Sequence, residues 1–316
     1  MIMQALSSDF CDVLSRKYAA ALDSGDLLYS GESAEVEFLS REINGSKYHF
    51  HLTKLKSLEQ RPDKGDVSSN PFEKPEPELT VLDTFGGDNE FRVVLNKFPV
   101  VPAHFMLVTK SFKSQDTPLS PNELVATFSI LSALSSSDTR KNWFAFYNCG
   151  PASGASQPHK HVQFMSLPDD FHPFVEKLVQ SSEHYIPSQT REPLQDANLP
   201  FAHFVAKLPD EGESDSEEVF LMTFYSLVQR VLNVLKDHSC EHISYNFCAT
   251  TKYMMLVPRR EAKYEGIGIN SCGFMGLILC KNDDVSDLMK QKGFENILSQ
   301  VGFPNTSGCT SDEYHY

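Results

Sequence analysis

The connections between strand-like segments are what most constrain this chain. ISYNFCAT (243–250) and TKYMMLVP (251–258) meet at a TTK junction far too short for the crossover that parallel strands need, so antiparallel pairing is predicted for them and for FMGLILC (274–280). FRVVL (91–95) and FMLVT (105–109), apolar and partly β-branched, bracket NKFPVVPAH, and WFAFY (143–147) leads through a Gly/Ser/Pro loop into HKHVQFM (159–165). Helices interrupt these strands without a regular βαβ rhythm. The first runs over Phe10–Leu22, ahead of extended chain around Tyr48–Leu52. The second spans 120–134, with Ser120 as N-cap, Pro121 at the first helical position and Glu123 completing a capping box. The third carries Phe224, Val228, Val231 and Leu235 on one face. This pattern predicts an α+β fold with a mainly antiparallel sheet flanked by helices. No boundary is demanded within 1–316, which reads as one domain with surface loops at 61–78 (four prolines) and 210–218 (an acidic run).

Composition narrows the function. A net charge of -14 disfavours nonspecific nucleic-acid binding, so a polyphosphate ligand needs a local basic patch. No apolar run approaches the ~18–20 residues of a membrane span. The N-terminal stretch has no basic region followed by a long apolar one, so no signal peptide is expected. Seven scattered cysteines without a C-x-x-C pair predict reduced thiols and a cytoplasmic setting, with nuclear presence compatible, and argue against a zinc ribbon.

Chemistry concentrates in HKHVQF (159–164). On a strand, His159, His161 and Gln163 share one face at steps of about 7 Å, while Val162 and Phe164 face the core. Such a strand fits three readings: solvated imidazoles, two ligands of a metal, or a histidine nucleophile. A metal needs a third ligand, and Gln163 is a poor one. The preceding loop, with Gly150, Ser153, Gly154, Ser156 and Gln157, offers backbone N–H groups and small hydroxyls to an anion, which favours phosphate chemistry at the imidazole.

NCGPASGASQPHKHVQ (148–163) resembles the signature of the fungal diadenosine tetraphosphate phosphorylases, or ATP adenylyltransferases, of the histidine-triad superfamily. LNKFPVVPAHFMLVT (95–109), REPLQDANLPFAHF (191–204), VPRREAK (257–263), INSCGFMGLILCK (269–281) and GFPNTSGCTSDEYHY (302–316) resemble family blocks in the same order. The resemblance implies a GalT-like fold and a ping-pong reaction in which diadenosine tetraphosphate and phosphate give ATP and ADP, or the reverse. By position, His161 matches the nucleophile that takes the adenylyl group, and Gln163 stands where hydrolases of the superfamily usually carry a third histidine. Asn148, Gly154, Ala155, Ser156 and Gln157 match phosphate-contacting positions, and Asn96 and Lys97 a nucleotide-binding pair. Asn270, Ser271, Cys272, Leu277 and Lys281 match the C-terminal part of the site, with Cys272 where threonine is common and Leu277 where methionine is. The family's early basic residue falls on Lys54 or Arg61.

Physical roles follow. His161 needs a neutral ring whose other nitrogen donates to an acceptor such as a backbone carbonyl. Gln163 donates to a phosphoryl oxygen, His159 orients the loop or the polyphosphate or makes a structural hydrogen bond, and Lys97 and Lys281 offset charge. Lys160 points to the opposite face, and Arg259 and Arg260 are left unassigned. Expected partners are dinucleoside polyphosphates, ATP, ADP and inorganic phosphate, with magnesium or a similar divalent cation on the substrate and no tightly bound metal. No nucleic acid, membrane or second subunit is expected. A side activity on adenosine phosphosulfate is compatible with this reading; the alternatives are a dinucleoside polyphosphate hydrolase, an enzyme with adenosine phosphosulfate as main donor, a non-catalytic nucleotide binder and a metal-binding protein.

Overall fold

The computed structural model describes residues 6–60, 70–137, 141–188, 190–209 and 216–309. In chain order the first elements are α1 (Phe10–Ser24), β1 (Glu35–Ile43), β2 (Ser46–Lys54), β3 (Thr80–Phe85), β4 (Phe91–Leu95) and β5 (Phe105–Thr109). Then come α2 (Pro121–Ser137), β6 (Trp143–Cys149), β7 (His161–Ser166), α3 (Val175–Gln180), β8 (Phe204–Lys207) and α4 (Ser216–Asp237). The last are β9 (Tyr245–Ala249), β10 (Tyr253–Pro258), the short pair β11 (Lys263–Tyr264) and β12 (Ile267–Gly268), α5 (Ser271–Phe274), β13 (Leu277–Cys280), α6 (Asp283–Lys292) and α7 (Phe294–Val301).

Eight strands form one sheet in the order β3-β4-β5-β7-β6-β9-β10-β8, and every neighbouring pair in it is antiparallel. Alternation along each strand sends side chains to two cores. Val162 and Phe164 of β7 join Phe105, Leu107 and the apolar faces of α1, α2 and α4, and Phe164 stacks on Phe105 with ring centroids 4.9 Å apart. Met165 enters the other core, with Phe144, Phe146, β2, β13 and α7. Four residues, Phe72, Val94, Met106 and Val108, make a small third cluster beneath the cleft described below. Among the described residues α4 alone has the length and hydropathy of a membrane span, but Phe220, Phe224, Leu227 and Val231 on it are fully buried within this fold.

The α+β expectation describes this architecture, and the strands at 91–95 and 105–109 have the bounds expected. The capping box forms, with Ser120 N–H donating to Glu123 Oε2 at 2.8 Å and Glu123 N–H to Ser120 Oγ at 3.4 Å. Lys160 does turn away from the histidine face, onto Glu123 at 2.9 Å.

Three expectations change. Segment 274–280 is not a third antiparallel strand: Phe274 ends α5, and β13 pairs parallel to β2 in a separate sheet, β1-β2-β13. No short turn links β2 to β13, so chain proximity does not dictate their direction. The histidine strand begins at His161, since His159 makes only an isolated bridge with Ser114. Residues 216–218 of the acidic run open α4, where Glu217 and Glu218 favour the positive end of the helix dipole. Positions 210–215, and 61–69 of the other loop, lie outside the described residues.

A buried imidazole locks the crossing before β8. His203 Nδ1–H donates to the Phe201 carbonyl at 2.8 Å, and Nε2 accepts the Asp196 N–H at 2.8 Å. The ring is wholly enclosed between Phe174 and Phe201, and burial pushes its pKa down to about 4. The unfolded chain therefore binds the extra proton between about pH 6.5 and pH 4. The contribution of His203 is fully present above pH 6.5 and is lost as pH falls towards 4, at roughly 1.4 kcal/mol per pH unit and about 3 kcal/mol in all. Urea unfolding of the wild type should show that extra acid sensitivity relative to His203→Phe, which loses the hydrogen bond at every pH; equal slopes would contradict it.

Candidate active site

The polar face of β7 opens into a cleft of about 620 Å³. Its apolar wall is Phe72, Leu79, Val94, Leu95, Phe98 and Met106; Asn96 and Lys97 stand on one side, and Ser156, Gln157, His161 and Gln163 on the other. His161 Nδ1 lies 2.8 Å from the His159 carbonyl. A carbonyl only accepts, so Nδ1 carries the proton and the lone pair resides on Nε2. Gln163 is held by a residue that sequence reasoning missed: His104, 3% exposed, donates Nε2–H to Gln163 Oε1 at 3.0 Å. With its oxygen engaged, Gln163 offers the cleft donors. Nothing in the periodicity around NKFPVVPAH marks His104 as a partner of β7.

The Gly/Ser loop leaves β6 above this face. A side chain at Gly150 or Gly154, both at positive φ, would drive Cβ to 2.0 Å from the Ile243 carbonyl or 2.3 Å from the Ile269 carbonyl. Glycine is required at both positions. From below, the Ser153 carbonyl accepts Asn246 Nδ2–H at 2.9 Å and the Arg259 guanidinium at 3.0 Å. Arg259, 1% exposed, also donates to Asn246 Oδ1 and to the carbonyls of Ile269, Val301 and Glu261, and burial lowers its pKa to about 9. The residue left unassigned from the sequence is thus the fastener of the loop. On the loop's far side lies a second cleft of about 310 Å³, lined by Gly154, Ala155, Ser156, Asn270 and Leu277 among others. Ser156 lines both.

Other expected site residues lie elsewhere. Both ring nitrogens of His159 are engaged within the protein: Nε2–H donates to the Thr109 carbonyl at 2.7 Å, and Nδ1 accepts from Asn70 Nδ2 at 2.8 Å. Asn70 in turn receives the Phe72 N–H, so His159 braces the cleft wall. Burial lowers its pKa, as suits an imidazole held neutral. Asn148 and Ser271 line neither cleft. The Asn148 Oδ1 accepts from Asn246 Nδ2 at 2.8 Å, Ser271 N at 3.0 Å and Ser271 Oγ at 2.7 Å, behind the loop. Cys272 is buried, its pKa pushed up to about 12 by desolvation, and its N–H is capped by Asn270 Oδ1. Lys54 pairs with Glu35 at 2.6 Å and with Asp283 at the end of β2, and it lines neither cleft. Lys281 is exposed beyond β13, and Arg61 is outside the described residues.

Among the described residues the expected local basic patch does not form. Lys97 reaches the main cleft without Lys281, and Glu76 meets its Nζ at 2.7 Å. Among the described residues two lysines (Lys74, Lys97) and two glutamates (Glu73, Glu76) line that cleft, so its lining carries no excess charge.

The fold and site thus define an α+β protein with a mainly antiparallel sheet, whose His-x-Gln strand stands beside a glycine-pinned loop and opens into a cleft. The chain is a member of the diadenosine tetraphosphate phosphorylase, or ATP adenylyltransferase, family. Residues 18–179 match the Ap4A phosphorylase N-terminal domain and residues 197–304 the ATP adenylyltransferase C-terminal domain. Protein APA1 of Saccharomyces cerevisiae is 37% identical over 99% of this chain and 100% of its own. Diadenosine 5',5'''-P1,P4-tetraphosphate phosphorylase 2 of the same yeast is 37% identical over 95% and 96%. Crystal structures of yeast Ap4A phosphorylase Apa2 match at TM-score 0.85 with AMP (35% identity, 98% and 100% covered) and 0.84 with Ap4A (34%, 97% and 100%).

The placement of Asn148 makes a test. Asn148→Leu removes the acceptor of three buried donor contacts, so it should cost at least about 2 kcal/mol in urea unfolding. A residue that only touches substrate would leave stability unchanged and weaken nucleotide affinity.

Proposed function

We propose that this enzyme cleaves diadenosine tetraphosphate by phosphorolysis and runs the reverse adenylyl transfer, through a covalent adenylate on His161. The observation that carries this reading is the tautomer of His161, whose Nδ1–H donates to the His159 carbonyl while the ring lines the cleft. Nε2 attacks the α-phosphorus, a P–N bond forms, and the P–O bond to the rest of the substrate breaks, releasing ATP. The ring is then cationic, and its Nδ1–H···O=C bond strengthens as that charge develops. An oxygen of inorganic phosphate next attacks the same phosphorus, the P–N bond breaks, and ADP leaves with the imidazole restored.

Gln163 holds a non-bridging oxygen of the five-coordinate phosphorus. The donor-only end of its amide suits an oxyanion and carries no proton to or from water. The adenosine is read into the main cleft against Phe72, Val94 and Met106, and the polyphosphate over Ser156 towards the second cleft, with Asn270 and Leu277 at the far end. Among the described residues no group of three or more His, Cys, Asp or Glu stands together. We therefore read the divalent cation as one that travels with the polyphosphate. Adenosine phosphosulfate, another adenylyl donor, is expected to enter at the same histidine.

His161→Asn keeps a polar side chain but forms no phosphoramidate, so turnover should fall more than about 100-fold while AMP still binds. Mass spectrometry of trapped enzyme should find one added AMP on the wild type and none on the variant. A variant retaining a tenth of the activity would remove His161 from this role.

Phosphate is the expected acceptor. It arrives as an anion and is positioned by the donors its predecessor leaves, and orientation of that kind is worth on the order of 7–11 kcal/mol in well-aligned cases. Product analysis should give ATP plus ADP with phosphate and little AMP without it. Equal rates of AMP release in phosphate-free buffer would make the enzyme a hydrolase.

A further inference from the structure

We propose that Gln115 is the positioning residue that sets where His161 stands in the cleft; the proposal rests on the reading of His161 as adenylyl acceptor. β6 and β7 pair from Trp143↔Ser166 to Phe146↔Gln163. Two residues further in that register, Asn148 would face His161, and a ladder bond would join their main chains directly. The carboxamide of Gln115 occupies that place instead. Its Oε1 accepts the His161 N–H at 2.8 Å, and its Nε2 donates to the Asn148 carbonyl at 2.9 Å and the His161 carbonyl at 3.3 Å.

An inserted amide presents the acceptor and donors that a neighbouring peptide would, but it adds its own width between the strands. The two strands therefore separate where the Gly/Ser loop departs, and the length of one side chain sets the gap. Gln115 is 1% exposed, so water does not replace these bonds if they are lost. Its main chain serves the same junction. The Gln115 N–H donates to the Pro158 carbonyl at 2.8 Å, and its carbonyl accepts from Gly150 N–H at 3.3 Å and Tyr147 Oη at 2.9 Å. One residue thus ties the end of β6, both ends of the loop and the backbone of His161.

Gln115 meets neither cleft, so its effect passes through His161. Displacement of a reacting group by about 1 Å costs on the order of 100-fold in rate. Gln115→Met keeps the length and removes both polar ends. With full-length protein, diadenosine tetraphosphate and phosphate, kcat should fall about 10- to 100-fold while KM and AMP affinity stay within about threefold. Gln115→Glu keeps an acceptor for His161 N–H and loses the donors, and its kcat should lie between the two. If Gln115→Met does not fold, Gln115→Glu carries the comparison by the same split.

Adenylate trapping on the wild type separates the two levels of inference. If the wild type forms the His161 adenylate and either folded variant keeps kcat within about threefold, the positioning role alone is overturned. A loss that vanishes on correcting for the folded fraction, or one carried by KM, overturns it too. Absence of the adenylate on the wild type removes the parent reading and this proposal with it.

Discussion

A single hydrogen bond, from His161 Nδ1 to the carbonyl of His159, sets the chemistry that this fold can perform. An imidazole has two nitrogens and, when neutral, one proton; where that proton sits decides which nitrogen is nucleophilic. The bond exists because β7 starts at His161 and the two residues before it are out of the regular ladder. Around it every neighbour is restrained by a different element. His104, just before β5, turns Gln163, His159 braces Asn70, and Gln115 holds the His161 main chain.

The loop above the histidine is built on a buried cation, Arg259, that has no carboxylate partner among the described residues. Enclosing a guanidinium costs several kcal/mol unless its donors are satisfied. Here the acceptors are main-chain carbonyls and the Asn246 side chain, which are dipoles and not charges. A carboxylate in that position would set negative charge beneath a loop read as an anion cradle. Carbonyl partners instead leave the positive field of Arg259 largely uncancelled, and the near-neutral lining of the main cleft makes that background field matter more.

Much of this was legible in the sequence, for identifiable reasons. Period-two alternation in HKHVQF put His161 and Gln163 on one face and Val162 on the other, and the capping box of α2 was readable because its interactions span only three residues. The Gly/Ser loop announced itself by composition. Its two glycines at positive φ meet carbonyls from residues 243 and 269, and those contacts could not be read. The destination of β13 was missed because it pairs with a strand more than 200 residues earlier, a choice made by core packing and not by a turn.

The residues whose roles moved are those whose neighbours come from distant chain. Asn148, Ser271 and His159 have side chains that suit a phosphate, and the fold engages them in buried hydrogen bonds. His104, Gln115 and Arg259 have no local pattern to mark them, yet they meet the site across sheet neighbours and loop ends. The sequence by itself determined the strand, its two faces, the glycine loop and the family, since each depends on residues close together or on blocks in fixed order. Which nitrogen of His161 carries the proton, which way Gln163 points, and which candidate side chains reach a cleft were decided only by tertiary structure. A hydrogen bond needs its partner within about 3 Å, and only folding brings together residues 46 or 59 positions apart.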